Sequence, residues 1–98
     1  MISNISIYEL KKLNNINIID IRSKEKYNDN HIPNAINIEH EKLLLEPSKH
    51  LDKQKRYYIY CQKGMSSFNV CKILTKLGYK VTNINGGYES YILNERNH

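Results

Sequence analysis

The sequence predicts an α/β domain with a mainly parallel sheet covered by helices on both faces. Three observations lead there. β-prone apolar runs alternate with helical patterns from one end of the chain to the other. The run over residues 16–21 is nearly continuous in β-branched side chains, the pattern of a strand buried on both faces. The stretch Tyr57-Tyr58-Ile59-Tyr60-Cys61-Gln62-Lys63-Gly64-Met65-Ser66-Ser67 passes from a β-prone segment through a short glycine-containing loop directly into a helical pattern. In sheets of this kind ligands bind outside the carboxyl ends of the strands. Cys61 falls at one such end.

The elements follow in order. Ile5-Ser6-Ile7 opens the pattern, and Ser6 caps a short helix through Tyr8, Leu10 and Leu13, with Glu9 at the third position of a capping box. Asn14-Asn15 closes it. After the strand at 16–21, Ser23 caps a helix of about two turns over 24–28. Residues 35–38 form a short strand, and 39–45 are helical in character until stopped near Pro47. Residues 57–60 form the next strand. Ser66 or Ser67 then opens the strongest helix, whose apolar stripe is Val70, Cys71, Leu74 and Leu77, with Gly78 as its stop. Residues 80–84 form the last strand. Gly86-Gly87 turns the chain into a final amphipathic helix carrying Tyr88, Tyr91, Ile92 and Leu93. No repeat, low-complexity tract or linker interrupts the pattern.

Ninety-eight residues fit one small domain, and a chain of that size buries roughly two-thirds of the surface it exposes when unfolded. The composition, 40% hydrophobic and 26% charged, is that of an ordinary globular protein. No apolar run reaches the length of a membrane span. The first ten residues lack the basic and apolar regions of a signal peptide, so a cytoplasmic location and no membrane partner are expected. Two cysteines in such a chain do not argue for a structural disulfide. The net charge of +5 favours anionic partners, but the basic residues are scattered and do not single out nucleic acid. Their densest group, Lys49, His50, Lys53, Lys55 and Arg56, reads as a solvated surface connection. His40, His50 and His98 are scattered, and no Cys/His spacing points to a metal.

The chemistry concentrates at Cys61. A cysteine at a strand end faces the free backbone N–H groups of a helix N-terminus, which bind anions and stabilise a thiolate. Cys71 reads differently: it lies on the inward stripe, where cysteine packs as a small hydrophobe rather than as a resolving thiol. Asp20 and Arg22 read as a local salt bridge, and His31 as a residue fixing the turn before Pro33.

Three stretches together resemble the rhodanese family of thiosulfate sulfurtransferases, in particular its small single-domain members. Ile18-Ile19-Asp20-Ile21-Arg22, Tyr27 and His31-Ile32-Pro33-Asn34-Ala35 are similar to the family's early signatures. Cys61-Gln62-Lys63-Gly64-Met65-Ser66-Ser67 is similar to its active-site loop, and Asn83-Ile84-Asn85-Gly86-Gly87-Tyr88 to the glycine pair after its last strand. The resemblance spans nearly the whole chain. It implies one rhodanese-like domain over residues 1–98, with a five-stranded sheet and no cofactor. It also implies a catalytic Cys61 that cycles between thiolate and persulfide, with Gln62, Lys63, Gly64, Met65, Ser66 and Ser67 binding the substrate largely through backbone N–H groups. The implied donor is thiosulfate or another small anionic persulfide source. The implied acceptors are cyanide, a thiol, thioredoxin or another protein. Many family members carry arginine where this chain has Ser66, which implies modest thiosulfate affinity, offset in part if Lys63 turns inward. Asn34 stands where glycine is usual, Lys26 replaces an acid, and Tyr91 replaces a tryptophan.

Two other readings stand beside this one. Some relatives of the fold are cysteine phosphatases or arsenate reductases, whose Cys-x5-Arg loop clamps a tetrahedral oxyanion with guanidinium donors. Here the sixth position after Cys61 is Ser67, no arginine occurs between Arg56 and Arg96, and the loop reads as one residue too short for phosphate. The other reading is a non-catalytic interaction module or redox sensor: family members without the cysteine often serve as such modules, but Cys61 is present here, and a thiol that oxidises without transferring sulfur would support the sensor.

Overall fold

Alternation of side chains along the strands divides the interior into two cores, one on each face of a sheet. In the computed structural model, which describes residues 2–97, the strands are β1 (Ser3–Ile5), β2 (Asn17–Asp20), β3 (Ala35–Asn37), β4 (Arg56–Tyr60) and β5 (Lys80–Ile84). The helices are α1 (Ile7–Leu10), α2 (Lys24–Asp29), α3 (His40–Leu45), α4 (Pro47–His50), α5 (Met65–Lys76) and α6 (Gly87–Arg96). Met1 and His98 lie outside the described residues. The five strands form one sheet in the order β1-β5-β4-β2-β3, and every pairing is parallel. The expected architecture is therefore the one observed.

One face buries Ile19, Ile21, Tyr57, Ile59 and Val81 beneath Leu43 of α3 and Val70, Cys71 and Leu74 of α5. The other buries Ile18, Ala35, Tyr60 and Ile84 beneath Ile7 and Leu10 of α1 and Tyr88 of α6, with Tyr27 of α2 packed alongside. Leu43, Ile59 and Leu74 are wholly inaccessible to solvent. Burying a side chain of that size contributes roughly 1.5–3 kcal/mol.

The winding reverses at β2. The chain steps outward from β2 to β3, with α2 packing on one face. It then returns over the other face through α3 and α4 to place β4 on the far side of β2. The reversal opens a crevice at the carboxyl ends of β2 and β4, where Asp20 and Tyr60 are register partners.

Several details differ from the sequence reading. β1 is Ser3–Ile5, at the sheet edge beside β5. α1 ends at Leu10, leaving Leu13 exposed, and Asn15 turns the chain with φ 55°. Pro47 ends α3 but also occupies the first position of a further turn, α4, where its missing N–H costs nothing. Lys49 and His50 therefore sit on a helix rather than in a connection. α5 begins at Met65, not at a serine cap: Gly64, with φ 99°, makes the entry turn. Leu77 is half-exposed because it is the C-cap, and the turn at Gly78 (φ 96°) lets Tyr79 fill that end of the core instead. Leu93 likewise faces solvent. Among the described residues no helix is long and apolar enough to cross a membrane.

Candidate active site

The alternation of β4 directs Tyr57, Ile59 and Cys61 toward α5, so the cysteine that follows the strand lies beneath the start of that helix. Cys61 is 7% exposed. Its sulfur accepts the backbone N–H of Gly64 at 3.1 Å and that of Ser67 at 3.2 Å. Such N–H groups at a helix start have no intrahelical partner, and the helix dipole adds its positive end there. The sulfur thus sits in a small nest of donors suited to negative charge.

The back of Cys61 is pinned by α6. The Tyr88 N–H donates to the Cys61 carbonyl at 2.8 Å, and the Glu89 N–H donates to the Gln62 carbonyl at 3.0 Å. This close approach explains Gly87, while at Gly86 a Cβ would lie 2.6 Å from the Ser90 Cβ. A Cβ on Gly87 would lie 2.3 Å from the Cys61 carbonyl oxygen, and one on Gly64 would lie 2.9 Å from the Gly86 nitrogen. The two glycine turns interlock backbone against backbone, so neither position has room for a side chain.

Ser67 is completely buried. Its Oγ lies 3.3 Å from the Cys61 sulfur and donates to Asn83 Oδ1 at 2.6 Å. Asn83, 2% exposed on β5, donates through Nδ2 to Asn4 Oδ1 on β1 at 3.0 Å. A polar chain thus crosses the sheet from the nucleophile to its edge.

The opposite wall of the crevice is the buried pair Asp20–Arg22. The Arg22 backbone N–H donates to Asp20 Oδ1 at 2.8 Å, and its Nη2 donates to Oδ2 at 2.8 Å. The Tyr60 hydroxyl donates to the same Oδ2 at 2.6 Å and accepts the Ile32 N–H at 3.1 Å. Burial, then the bond to Asp20, pushes the Tyr60 hydroxyl far above its ordinary titration range. Burial opposes the Arg22 charge, but the hydrogen bond and charge of Asp20 outweigh it and raise its pKa. The guanidinium lies 4.1 Å from the Tyr88 ring and donates through Nη1 to Gln62 Oε1 at 3.1 Å. The salt bridge expected here is present, and it also holds the loop after Cys61. His31 bonds through Nδ1 to the Tyr27 carbonyl at 2.8 Å and stacks on the Tyr27 ring at 3.8 Å, while Asn34 adopts φ 72°. These residues shape the turn before β3.

The candidate site residues divide by depth. Cys61 and Ser67 are buried, Gln62 and Gly64 are half-buried, and Lys63, Met65 and Ser66 form the exposed rim. Among the described residues Lys63 has no hydrogen-bond or ion-pair partner. Cys71 is fully inaccessible, and burial, with Cys61 nearby, pushes its thiol up to about 12. It is therefore a neutral packing residue near pH 7. A shallow groove of about 310 Å³ beside the loop is lined by Gln62, Tyr88, Glu89, Ile92, Leu93 and Arg96. A hollow of about 670 Å³ lies away from the sulfur, beside Leu10, Ile16, Ile18 and Tyr91.

Among the described residues no arginine belongs to the loop: Arg22 is engaged by Asp20, Arg56, at the far end of β4, donates to Thr82 Oγ1 at 2.8 Å, and Arg96 lines the groove beside Gln62. The sixth position after Cys61 carries a hydroxyl turned to the sulfur rather than a fork for a tetrahedral oxyanion. Sequence reasoning missed Asn83 as part of the site and missed the Arg22–Gln62 link. For Asn83 a signal existed, since an amide near the end of a β-prone run, between Thr82 and Ile84, must find a partner once buried.

Comparison with known proteins agrees with this geometry. The rhodanese-like domain family matches residues 6–94. The thiosulfate sulfurtransferase GlpE of Coxiella burnetii is 37% identical over 91 residues, covering 92% of this chain and 84% of that protein. The putative sulfurtransferase YtwF of Bacillus subtilis is 40% identical over 70 residues, covering 71% and 67%. A rhodanese-like domain protein from Staphylococcus aureus superposes with a TM-score of 0.84 at 28% identity, covering 92% of this chain and 91% of that one.

Proposed function

The chain belongs to the rhodanese-like domain family and to its sulfurtransferase class, and from that premise we propose that it moves sulfane sulfur through a persulfide on Cys61. In this reading residues 1–98 act as one domain in a reducing cytoplasm. The observation that carries it is the Cys61 sulfur held by the Gly64 and Ser67 N–H groups at the mouth of α5.

The Cys61 thiolate attacks the outer sulfur of thiosulfate or of another persulfide donor. A bond forms between the two sulfurs, and the donor's sulfur–sulfur bond breaks with its electron pair leaving on sulfite or on the donor thiolate. In the second step an acceptor such as cyanide or a thiol attacks the outer sulfur of the Cys61 persulfide. The electron pair returns to Cys61, regenerating the thiolate. No general base is needed once the thiol has ionised, and a covalent intermediate of this kind gives ping-pong kinetics.

The rim sets donor preference. Ser66 offers a hydroxyl but no charge, and Lys63 supplies the one cation of the loop, so thiosulfate binds modestly and the persulfide of a small thiol is an equal candidate donor, with thioredoxin or another protein among the acceptors. Steady-state transfer from thiosulfate to cyanide tests the assignment. Cys61→Ser is expected to abolish turnover and Cys71→Ser to retain most of it; the reverse order would overturn the reading.

A further inference from the structure

The polar chain from Cys61 to the sheet edge has two complete hydrogen-bonding patterns. In the one observed, Ser67 Oγ lies 3.3 Å from the sulfur, where it accepts the thiol proton, and its own proton goes to Asn83 Oδ1 at 2.6 Å. Asn83 Nδ2 then donates to Asn4 Oδ1 at 3.0 Å. This arrangement suits a neutral thiol. A thiolate has no proton to give and needs the Ser67 hydroxyl as a donor. Turning that hydroxyl would leave the buried Asn83 Oδ1 without a partner, which is costly in the interior.

We propose that Asn83 and Asn4 are positioning residues that let the chain Cys61–Ser67–Asn83–Asn4 reverse its hydrogen-bond direction when Cys61 loses its proton. Both amides rotate by half a turn, a change that needs no extra space because the oxygen and nitrogen ends are nearly the same size. Asn4 Nδ2 then donates to Asn83 Oδ1, Asn83 Nδ2 donates to Ser67 Oγ, and the Ser67 O–H donates to the sulfur. Every buried polar atom is satisfied in both directions. No proton travels along the chain: the thiol proton leaves to water, and the thiolate gains a third donor beside the Gly64 and Ser67 N–H groups. Asn4 can turn because it is exposed on the edge strand, where water bonds either end of its amide.

The titratable groups on the elements around Cys61 are Cys71 on α5, Lys63 in the loop, Asp20 and Arg22 at the end of β2, Tyr60 on β4, and Tyr88 and Glu89 at the start of α6. Within the described residues none of their side chains hydrogen-bonds the sulfur. The hydroxyl that reaches it belongs to Ser67, and Asn83 decides which way that hydroxyl points.

The inference rests on Cys61 being the nucleophile, but its test does not need sulfur transfer. The rate of Cys61 alkylation by iodoacetamide, followed against pH by peptide mass spectrometry, reports the thiolate directly. A hydrogen bond to a charged group corresponds to a shift of about one to two pH units, or about ten- to hundred-fold in rate at fixed pH below the plateau. Ser67→Ala is expected to move the profile to more alkaline pH by that amount, and Ser67→Thr to restore it. Asn83→Asp, which can accept from Ser67 but never donate to it, is expected to move the profile the same way. Asn4→Asp tests the far end without disturbing the core. Its carboxylate cannot donate, so Asn83 stays pinned and the alkaline shift persists at 1 M salt, where a through-space charge effect is screened to about 3 Å. Asn4→Ser, whose shorter side chain leaves room at the exposed edge for a water that gives or accepts, is expected to behave as wild type. A Ser67→Ala profile unmoved in a protein of normal melting temperature would overturn the proposal. So would an Asn4→Asp profile that coincides with Asn4→Ser at high salt. Should wild type accept no sulfur from any donor, the functional reading fails while these profiles still judge the chain.

Discussion

Gly87→Ala puts the interlocked glycine turns to a quantitative test. Gly87 has φ 58°, and an added Cβ would lie 2.3 Å from the Cys61 carbonyl oxygen and 2.9 Å from that of Gln62. The left-handed conformation costs an L-residue about 1–2 kcal/mol. The contact adds more, because separations under 3.0 Å are essentially never tolerated and the Cys61 and Gln62 atoms it meets are backbone. Relief of about 0.7 Å would stretch the 2.8 Å bond from the Tyr88 N–H to the Cys61 carbonyl to about 3.5 Å, the edge of a hydrogen bond. The Glu89 N–H bond to Gln62 is strained by the same movement. Losing two such bonds costs about 1 kcal/mol each, so the total is about 3–4 kcal/mol. For a domain of this size that lowers the melting temperature by at least about 12 °C. Gly78→Ala is the control: φ is 96°, but the nearest atom is the flexible Lys53 Nζ at 3.5 Å, so only the conformational part of about 1–2 kcal/mol applies. Thermal denaturation followed by circular dichroism measures both. Equal losses for the two variants would refute the backbone contact as the reason for glycine at 87.

Asp20→Asn removes the charge that compensates buried Arg22 and is expected to cost about 3–5 kcal/mol, measured by urea denaturation; a loss under about 1 kcal/mol would mean that water reaches the guanidinium. The Cys71 thiol supplies a pH-dependent contribution. Its pKa is raised from 9.0 to about 12, so the folded protein holds that proton more tightly than the unfolded chain. The associated stability is complete below about pH 9 and is lost as pH rises toward 12. Wild type should therefore lose stability relative to Cys71→Val by up to about 1.4 kcal/mol per pH unit across that window, and parallel stability curves would contradict it. Ser66→Arg adds a cation at the rim and is expected to lower the thiosulfate KM by about five-fold at low salt, an effect that fades as salt is added; an unchanged KM would place the donor away from Ser66.

What the sequence made legible was what neighbours in the chain decide. The Ser6 and Ser23 caps were readable because each hydroxyl accepts an N–H three residues on, from Glu9 and Lys26. The strand at 16–21 announced itself through β-branched residues, and Asn34, standing where glycine is usual in the family, adopts the left-handed backbone that asparagine tolerates. The motif around Cys61 located the candidate site because strand, loop and helix follow without a break. Ser67 was misread for the converse reason. By local rules a serine at a helix start is a cap, but its hydroxyl turns inward to Asn83 on another strand. The purpose of Gly87 was equally hidden, since it lies in the Cys61 carbonyl, which only the folded chain brings near. Pro47 was ambiguous in principle, because proline ends one helix and begins another by the same missing N–H.

The most direct measurement of the proposed chemistry is intact mass after brief incubation with thiosulfate, on wild type, Cys61→Ser and Cys71→Ser. The expected result is a gain of one sulfur atom in wild type and Cys71→Ser, lost on adding cyanide and absent in Cys61→Ser. A gain retained in Cys61→Ser, or lost in Cys71→Ser, would contradict the assignment of the persulfide to Cys61.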